Sequence, residues 1–198
     1  MIMKTVLILS AIILALFLGL QLYSTMSNKK IEQYPYTVVK TVDNIEIRDY
    51  ESRLFTTIKL NSDKYGEVSG AGFSALAGYI FGGNKKKKKI AMTSPVAVSM
   101  DDSMTMMFMV PNELDESVLP EPNNKNIVFK KMPPQKVAAI RFGGWANSEI
   151  IAAQKSKLIA TLKENGLSYK NNFFFLGYNP PYEIINRRNQ IIVELDNN

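Results

Sequence analysis

The longest apolar run of the chain lies at its N-terminal end. No charged residue occurs between Thr5 and Asn28, and residues 6–20 are almost entirely Val, Ile, Leu, Ala and Phe. A helix needs about 20 apolar residues to cross a bilayer, so the run predicts one membrane-spanning helix. A cleaved signal peptide is the alternative, although the run is long for one and no small-x-small cleavage site follows it. We therefore expect residues 1–28 to anchor the protein to a membrane or, if they are cleaved, to export it to a periplasm.

The pattern after Tyr34 follows the periods of strands and helices in an order that occurs twice. Strand-like alternation gives way to helical spacing and then returns, so each half has the order β-β-α-β-β. Asp43-Asn44 predicts a hairpin turn, and a Pro-rich connector at 111–122 separates the halves. The predicted helices cover residues 67–81 and 146–164. The predicted strands cover residues 38–40, 45–50, 54–60, 90–100, 104–110, 127–131, 136–142, 173–178 and 190–195.

The repeated order indicates one α+β domain over residues 34–196. Each predicted helix has one apolar stripe that must cover a sheet, and halves of about 75 residues are too short to be trusted as separate folds. We expect a distorted antiparallel β-barrel or curved sheet, built from a duplicated ββαββ unit, with two flanking helices. A cleft between such halves is a common position for a ligand.

Composition excludes several kinds of chemistry. The sequence has no His and no Cys, which removes disulfides, thiol nucleophiles, Ser-His and Cys-His pairs, and the usual axial ligand of haem. The net charge is +6, and five lysines at residues 85–89 account for nearly all of it. Since the rest of the chain is close to neutral, we expect no nucleic acid as a partner.

Several motifs in a fixed order resemble one known family. Residues 72–96 have the sequence GFSALAGYIFGGNKKKKKIAMTSPV, which is similar to the central motif of the SOUL haem-binding family. The segments IEIRDY, VAAIRFGGWA and LGYNPPYEIINRRN extend the resemblance over roughly residues 34–196. Gln190 stands where the closing motif of the family usually has Glu. The resemblance implies a distorted barrel with two long helices, and binding of haem or another tetrapyrrole.

The resemblance also implies a binding cleft beside the first helix, with basic side chains nearby. Small residues let a flat macrocycle approach a helix, lysines pair with propionates, and a tyrosine phenolate can ligate haem iron. The candidate cofactor-binding residues are Gly70, Phe73, Ala77, Gly78, Lys85, Lys86 and Tyr178. Because the chain has no His, the expected cofactor is non-covalent haem or another porphyrin without a His ligand.

Each of these candidates has a structural alternative. The helix glycines would also allow close packing of the helix on a sheet. The lysines would also form a solvated loop, or contact anionic lipid headgroups that the N-terminal helix brings within reach. Tyr178 would also pack the end of the barrel with its neighbouring prolines.

A Met-rich strand follows the candidate site. Alternation places Met104 and Met106 on one side with Phe108, and Met107 and Met109 on the other. This pattern favours packing of the core over ligation of a metal by thioethers.

The acidic residues do not fix a reaction. Glu46, Glu67 and Glu183 lie near elements that would face a cleft, but no pair of carboxylates is placed in space. No catalytic residue and no metal site are therefore assigned. We expect a monomer that binds tetrapyrrole reversibly for buffering or delivery near a membrane. The alternative is a small-molecule-binding or protein-interaction module of the same fold that does not bind haem.

Overall fold

The computed structural model describes residues 2–28, 30–62, 65–100 and 104–196. The residues between the predicted strands 90–100 and 104–110 lie outside these ranges. The helices are α1 (Ile2–Asn28), α2 (Tyr65–Ile80) and α3 (Ser148–Glu164). The strands are β1 (Tyr36–Val42), β2 (Ile45–Tyr50), β3 (Arg53–Lys59), β4 (Val96–Ser99), β5 (Thr105–Met109), β6 (Ile127–Met132), β7 (Gln135–Phe142), β8 (Tyr169–Gly177) and β9 (Asn189–Leu195).

These strands form one curled antiparallel sheet, a half-barrel, in the order β1-β2-β7-β9-β8-β4-β5-β3-β6. The segments β3-α2-β4-β5 and β7-α3-β8-β9 have the same internal order, and the two halves meet where β4 pairs with β8. The strand that precedes each of these segments, its leading strand, pairs with the other unit. β2 precedes β3 but pairs with β7, and β6 precedes β7 but pairs with β3. The predicted α+β fold with a duplicated ββαββ unit is confirmed, and each unit completes the sheet of the other.

The ends of elements coincide with residues that suit the local backbone. Asp43, between β1 and β2, has a φ of 50°, a left-handed conformation that Asp and Asn tolerate in turns. Gly82, the second residue beyond α2, has a φ of 113°, which side chains disfavour and which stops the helix. Asn147 caps α3, since its side-chain oxygen accepts a hydrogen bond from the Ile150 N–H at 2.8 Å. Turn and cap residues thus set these boundaries within two residues of those that the sequence pattern predicted.

One predicted strand is shorter than expected. The strand predicted over residues 90–100 begins only at Val96, because Pro95 has no N–H to donate to a ladder. The preceding carbonyl of Ser94 accepts a hydrogen bond from the Tyr34 N–H at 2.9 Å. This segment therefore ties the start of the domain to the sheet instead of lengthening β4.

A buried cluster of apolar side chains lies on each face of the sheet. The larger cluster packs between the sheet and the helices α2 and α3, and the smaller one lies on the opposite face without residues from these helices. Met104, Met106 and Phe108 belong to the larger cluster, whereas Met107 and Met109 belong to the smaller. The predicted alternation of the Met-rich strand is confirmed, and these methionines are core residues.

Helix α1 is long and apolar enough to cross a membrane over Met3–Ser24. Within that stretch only Gln21 and Ser24 are buried. The Gln21 side-chain amide donates to the Tyr182 carbonyl at 3.0 Å, and its oxygen accepts from the Ile184 N–H at 3.1 Å. The C-terminal end of α1 is therefore attached to the loop between β8 and β9, and the rest of the helix presents an exposed apolar surface.

Candidate functional site

The outward face of α2 is formed largely by backbone. Its exposed positions include Gly70, Ala71, Ser74 and Gly78. A Cβ atom at Gly70 or Gly78 would meet no atom within 4 Å, so both positions are open. Gly72 differs, because a Cβ atom there would lie 2.6 Å from Cδ2 of Leu60. Close packing of helix on sheet explains Gly72 but does not explain the two outward glycines.

Two aromatic rings border this face. Phe73 is 40% exposed, and its ring contacts that of Phe108 edge to face at 5.3 Å between centroids. Phe81, directly after the last turn, is 62% exposed. Ala77 is buried and supports the helix from the sheet side. Exposed rings beside an open backbone make a flat apolar surface that few side chains obstruct.

The run of five lysines lies at the C-terminal end of the same helix. Lys85 and Lys86 are exposed, as are the three lysines that follow them, and none of the ion pairs found in the described ranges involves them. Asn84 is buried and holds the loop in place. Its amide donates to the carbonyls of Tyr79 at 3.1 Å and Lys88 at 2.7 Å, and its oxygen accepts from the Lys88 N–H. A positively charged loop is thereby fixed beside the flat face.

Tyr178 lies apart from these residues, on the other face of the sheet. Its hydroxyl donates to Oε1 of Gln190 at 2.8 Å, and the guanidinium of Arg188 stacks on its ring at 3.8 Å. Burial raises the pKa of Tyr178 well above its usual range, so the phenol is neutral at physiological pH. The structure thus gathers six of the seven predicted residues around α2 and leaves Tyr178 elsewhere.

A buried polar network surrounds Tyr178, and the sequence analysis did not predict it. Arg48 is 2% exposed; its guanidinium donates to Glu46 at 2.8 Å, to the Tyr50 hydroxyl at 3.2 Å and to Oε1 of Gln190 at 2.9 Å. It also stacks on the ring of Tyr36 at 4.2 Å. The alternation in IEIRDY places residues 46, 48 and 50 on one face of β2. From this pattern the sequence could have predicted that Glu46, Arg48 and Tyr50 lie together.

Buried apolar side chains pack the face that carries this network. A cavity there, lined by residues such as Tyr34, Phe55 and Met107, has a volume of about 10 Å³. That is room for about one water molecule, whereas ligand pockets usually measure about 300–1,000 Å³. Burial raises the pKa of Tyr34 to about 12, so its phenol is also neutral. This cavity is therefore too small to hold a macrocycle.

Each acidic candidate has a hydrogen-bond or ion-pair partner. Glu46 pairs with Arg48, Glu67 accepts from the Ser62 hydroxyl at 3.0 Å, and Glu183 accepts from the Asn179 amide at 2.9 Å. Within the described ranges, no three His, Cys, Asp or Glu side chains form a group that would hold a metal ion. The geometry accordingly assigns no acid–base pair.

Comparison with known sequences agrees with the resemblance carried by the sequence motifs. Residues 31–194 match a family model described as SOUL heme-binding protein. "Heme-binding protein 1" of Sus scrofa is 25% identical over 174 residues, which cover 81% of this chain and 91% of that protein. "Heme-binding protein 2" of Homo sapiens is 25% identical over 155 residues, which cover 74% of this chain and 75% of that protein.

Solved structures with the same fold are more distant in sequence. The C-terminal domain of EcmrR matches with a TM-score of 0.61 at 11% identity, covering 82% of this chain and 99% of that domain. A hydrolase from Listeria innocua matches with a TM-score of 0.54 at 10% identity, covering 77% and 92%. At these identities the likeness concerns the fold alone.

Proposed function

The chain belongs to the SOUL heme-binding protein family, and on that premise we propose that it binds haem or another tetrapyrrole on the outward face of α2. The observation that carries this assignment is the open backbone at Gly70 and Gly78, together with the exposed rings of Phe73 and Phe81 on the same segment. The cavity lined by Tyr34, Phe55 and Met107, on the opposite face of the sheet, measures only about 10 Å³.

The flat face and the lysine loop match the two parts of a tetrapyrrole. Burial of the apolar macrocycle against backbone and aromatic rings contributes about 25 cal/mol per Å² of surface removed from water. The propionates are anionic, and the ammonium groups of Lys85 and Lys86 follow the same helix. Binding by these terms is non-covalent and reversible.

Iron ligation is not part of the proposed recognition. The sequence has no His or Cys, and the exposed positions of the α2 face include neither Tyr nor Met. Tyr178 is on the other face of the sheet, with its hydroxyl already donating to Gln190. We therefore assign affinity to the macrocycle and its propionates.

In this proposal residues 1–28 and 34–196 have separate roles. The first segment is a retained membrane anchor, because its removal would leave the Tyr182 carbonyl and the Ile184 N–H without their Gln21 partner. The second segment is the binding domain, which buffers or delivers tetrapyrrole beside the membrane as a monomer.

The decisive experiment is a titration of haemin into the purified full-length chain, followed by the Soret band. Gly78→Leu places a branched side chain on the open face, so we expect at least a tenfold loss of affinity, about 1.4 kcal/mol. Ala160→Leu, at an exposed position of α3, is the matched control and should leave affinity unchanged.

Two results would contradict the proposal. Equal affinities of the two variants and the wild type would move the site away from α2. No Soret shift with wild-type protein would favour a module of the same fold that binds a different small molecule or a protein.

A further inference from the structure

An open groove of about 580 Å³ lies between the β7–α3 connection and the β8–β9 connection. Its lining residues all belong to the segments VAAIRFGGWA and LGYNPPYEIINRRN and include none of α2, so the proposed tetrapyrrole site on α2 does not account for it. Its lining residues include two arginines, Arg141 and Arg187, and two large apolar residues, Phe142 and Ile184. The volume is within the usual range of about 300–1,000 Å³ for sites that bind small molecules.

The two arginines are held differently. Arg187 stacks on the ring of Trp145 at 4.1 Å and donates to the carbonyls of Pro180 at 3.0 Å, Glu183 at 2.5 Å and Asn179 at 3.5 Å. Its Nε is buried without a hydrogen-bond partner among the described residues. Arg141 is exposed, and none of the ion pairs found in the described ranges involves it. The accessible guanidinium of Arg141 suits an anionic oxygen-rich group, to which arginine binds in bidentate geometry, and the fixed guanidinium of Arg187 adds a second positive charge.

An apolar rim surrounds this cationic centre. Trp145 is 53% exposed, Ile184 47% and Tyr182 67%. Large apolar and aromatic side chains at the mouth of a charged groove suit an amphiphile, whose charged head and hydrocarbon parts need different surroundings. Trp and Tyr are also enriched where proteins meet the membrane–water interface.

The attachment of α1 places the groove at that interface. Gln21, which bonds to Tyr182 and Ile184, is three residues before the end of the apolar stretch Met3–Ser24. At 1.5 Å per residue this stretch is about 33 Å long, close to the ~30 Å hydrocarbon core, and Gln21 lies about 5 Å from its end. Ile184 therefore connects the groove to the level at which α1 leaves the bilayer.

We propose that this groove binds the anionic headgroup of a membrane phospholipid, with Arg141 and Arg187 on the phosphate and Trp145 and Ile184 beside the first carbons of the acyl chains. The assignment depends on the membrane anchor of the proposed function but not on tetrapyrrole binding. Lipid binding at this point would hold the domain against the bilayer in one orientation.

Trp145 is the only tryptophan in the sequence, so its fluorescence reports on the groove directly. The full-length chain is reconstituted in phosphatidylcholine vesicles that carry a fixed fraction of lipid brominated close to the headgroup. The brominated lipid is either phosphatidylglycerol or phosphatidylcholine. We expect brominated phosphatidylglycerol to quench Trp145 at lower lipid fractions than brominated phosphatidylcholine.

Charge removal tests the role of the arginines. Arg141→Gln should lower the preference for phosphatidylglycerol about fivefold, and the further change Arg187→Gln should lower it about thirtyfold in total. Arg187 also holds its loop through hydrogen bonds. If the double variant does not fold, the lipid preference of the single variant Arg141→Gln decides the test. Lys130→Gln, on the edge strand β6, removes the same charge elsewhere and should have no effect.

Several outcomes would overturn the proposal. Equal quenching by the two brominated lipids, or an unchanged preference in Arg141→Gln, would exclude a headgroup site while leaving the anchor intact. Displacement of the lipid by millimolar glycerol phosphate would assign the groove to a soluble phosphate ester. Extraction of the chain by alkaline carbonate would show that the anchor itself is wrong, a failure that leaves haemin titration unaffected.

Discussion

The helices α2 and α3 occupy equivalent places in the duplicated unit and have different outer surfaces. α2 packs on β3 and β5, and α3 packs on their counterparts β7 and β9. On the inner side each contributes a fully buried leucine, Leu76 and Leu158. On the outer side α2 presents open glycines, whereas α3 presents alanines and charged side chains such as Lys157 and Lys163.

The fold requires the apolar inner face of both helices, whereas their outer faces are not constrained by the sheet. α3 has the features of an ordinary solvent-facing helix, with Asn147 as its cap, Glu149 in its first turn and Lys163 in its last. α2 has no basic residue in its last turn, and Gly70 and Gly78 each cost about 1 kcal/mol of helix propensity relative to Ala. Only the inner stripe of each helix is required by the sheet, so one copy has an outer face suited to a ligand.

The largest expected effect tests the equivalence of the inner faces. Leu76→Ala and Leu158→Ala should each destabilise the protein by about 2–5 kcal/mol, because both remove a fully buried side chain and leave a cavity. Chemical denaturation of the full-length chain measures both values. A loss confined to one of the two variants would show that the helices do not support the sheet equally.

The lysine loop beside α2 should affect binding more than folding. Replacing all five lysines at 85–89 by Ser should weaken haemin binding about tenfold and reduce its salt dependence, since charge-assisted contacts to propionates are lost. The unfolding free energy should change by less than about 0.5 kcal/mol, because exposed charges contribute little.

Two controls sharpen this result. Lys157→Ser with Lys163→Ser on α3 removes charge from the equivalent helix and should leave haemin affinity unchanged. A propionate-esterified porphyrin should bind the wild type and the five-lysine variant alike. Identical haemin titrations of wild type and five-lysine variant at low and high salt would exclude a propionate contact.

Substitutions between Gly and Ala should have opposite effects on the two helices. Gly70→Ala and Gly78→Ala should each raise the unfolding free energy by about 0.5–1 kcal/mol, since neither new methyl meets another atom. Ala153→Gly and Ala160→Gly on α3 should lower it by similar amounts. Thermal unfolding measures the changes, and a destabilising Gly78→Ala would show that this face is packed against something.

Removal of iron should have the smallest effect. If the α2 face recognises the macrocycle, iron-free protoporphyrin should bind within tenfold of haem, a difference below about 1.4 kcal/mol. Parallel titrations by absorbance and porphyrin fluorescence provide the comparison. A larger preference for haem would require an iron ligand that the exposed residues of α2 do not supply.

Local order was predictable from the sequence because it depends on near neighbours. The alternation of Met104 to Met109 and the turn at Asp43 each involve a few consecutive residues, and the structure agrees with both. Pro95 shortened β4 for an equally local reason. The side of α2 on which each glycine lies was also predictable, since Gly72 shares a stripe with Leu76 whereas Gly78 does not.

Long-range pairing was beyond the sequence pattern. Nothing in the alternation of β2 or β6 specifies that each pairs with the opposite unit, since the partners are far apart in the chain. For the same reason the contacts of Arg48 with Gln190 could not be predicted from either segment alone. Tyr178 was therefore grouped with the α2 residues by its chemistry, although the sheet separates them.

The exchange of leading strands has a consequence for the architecture of the chain. A single ββαββ unit would leave the outer edge of β3 or β7 unpaired, and such an edge recruits a strand from another molecule. Two separate copies would satisfy both edges only by trading β2 and β6, which is the arrangement of a domain-swapped dimer. The connector at residues 111–122 joins the copies, so the protein has the architecture of a swapped dimer within one polypeptide.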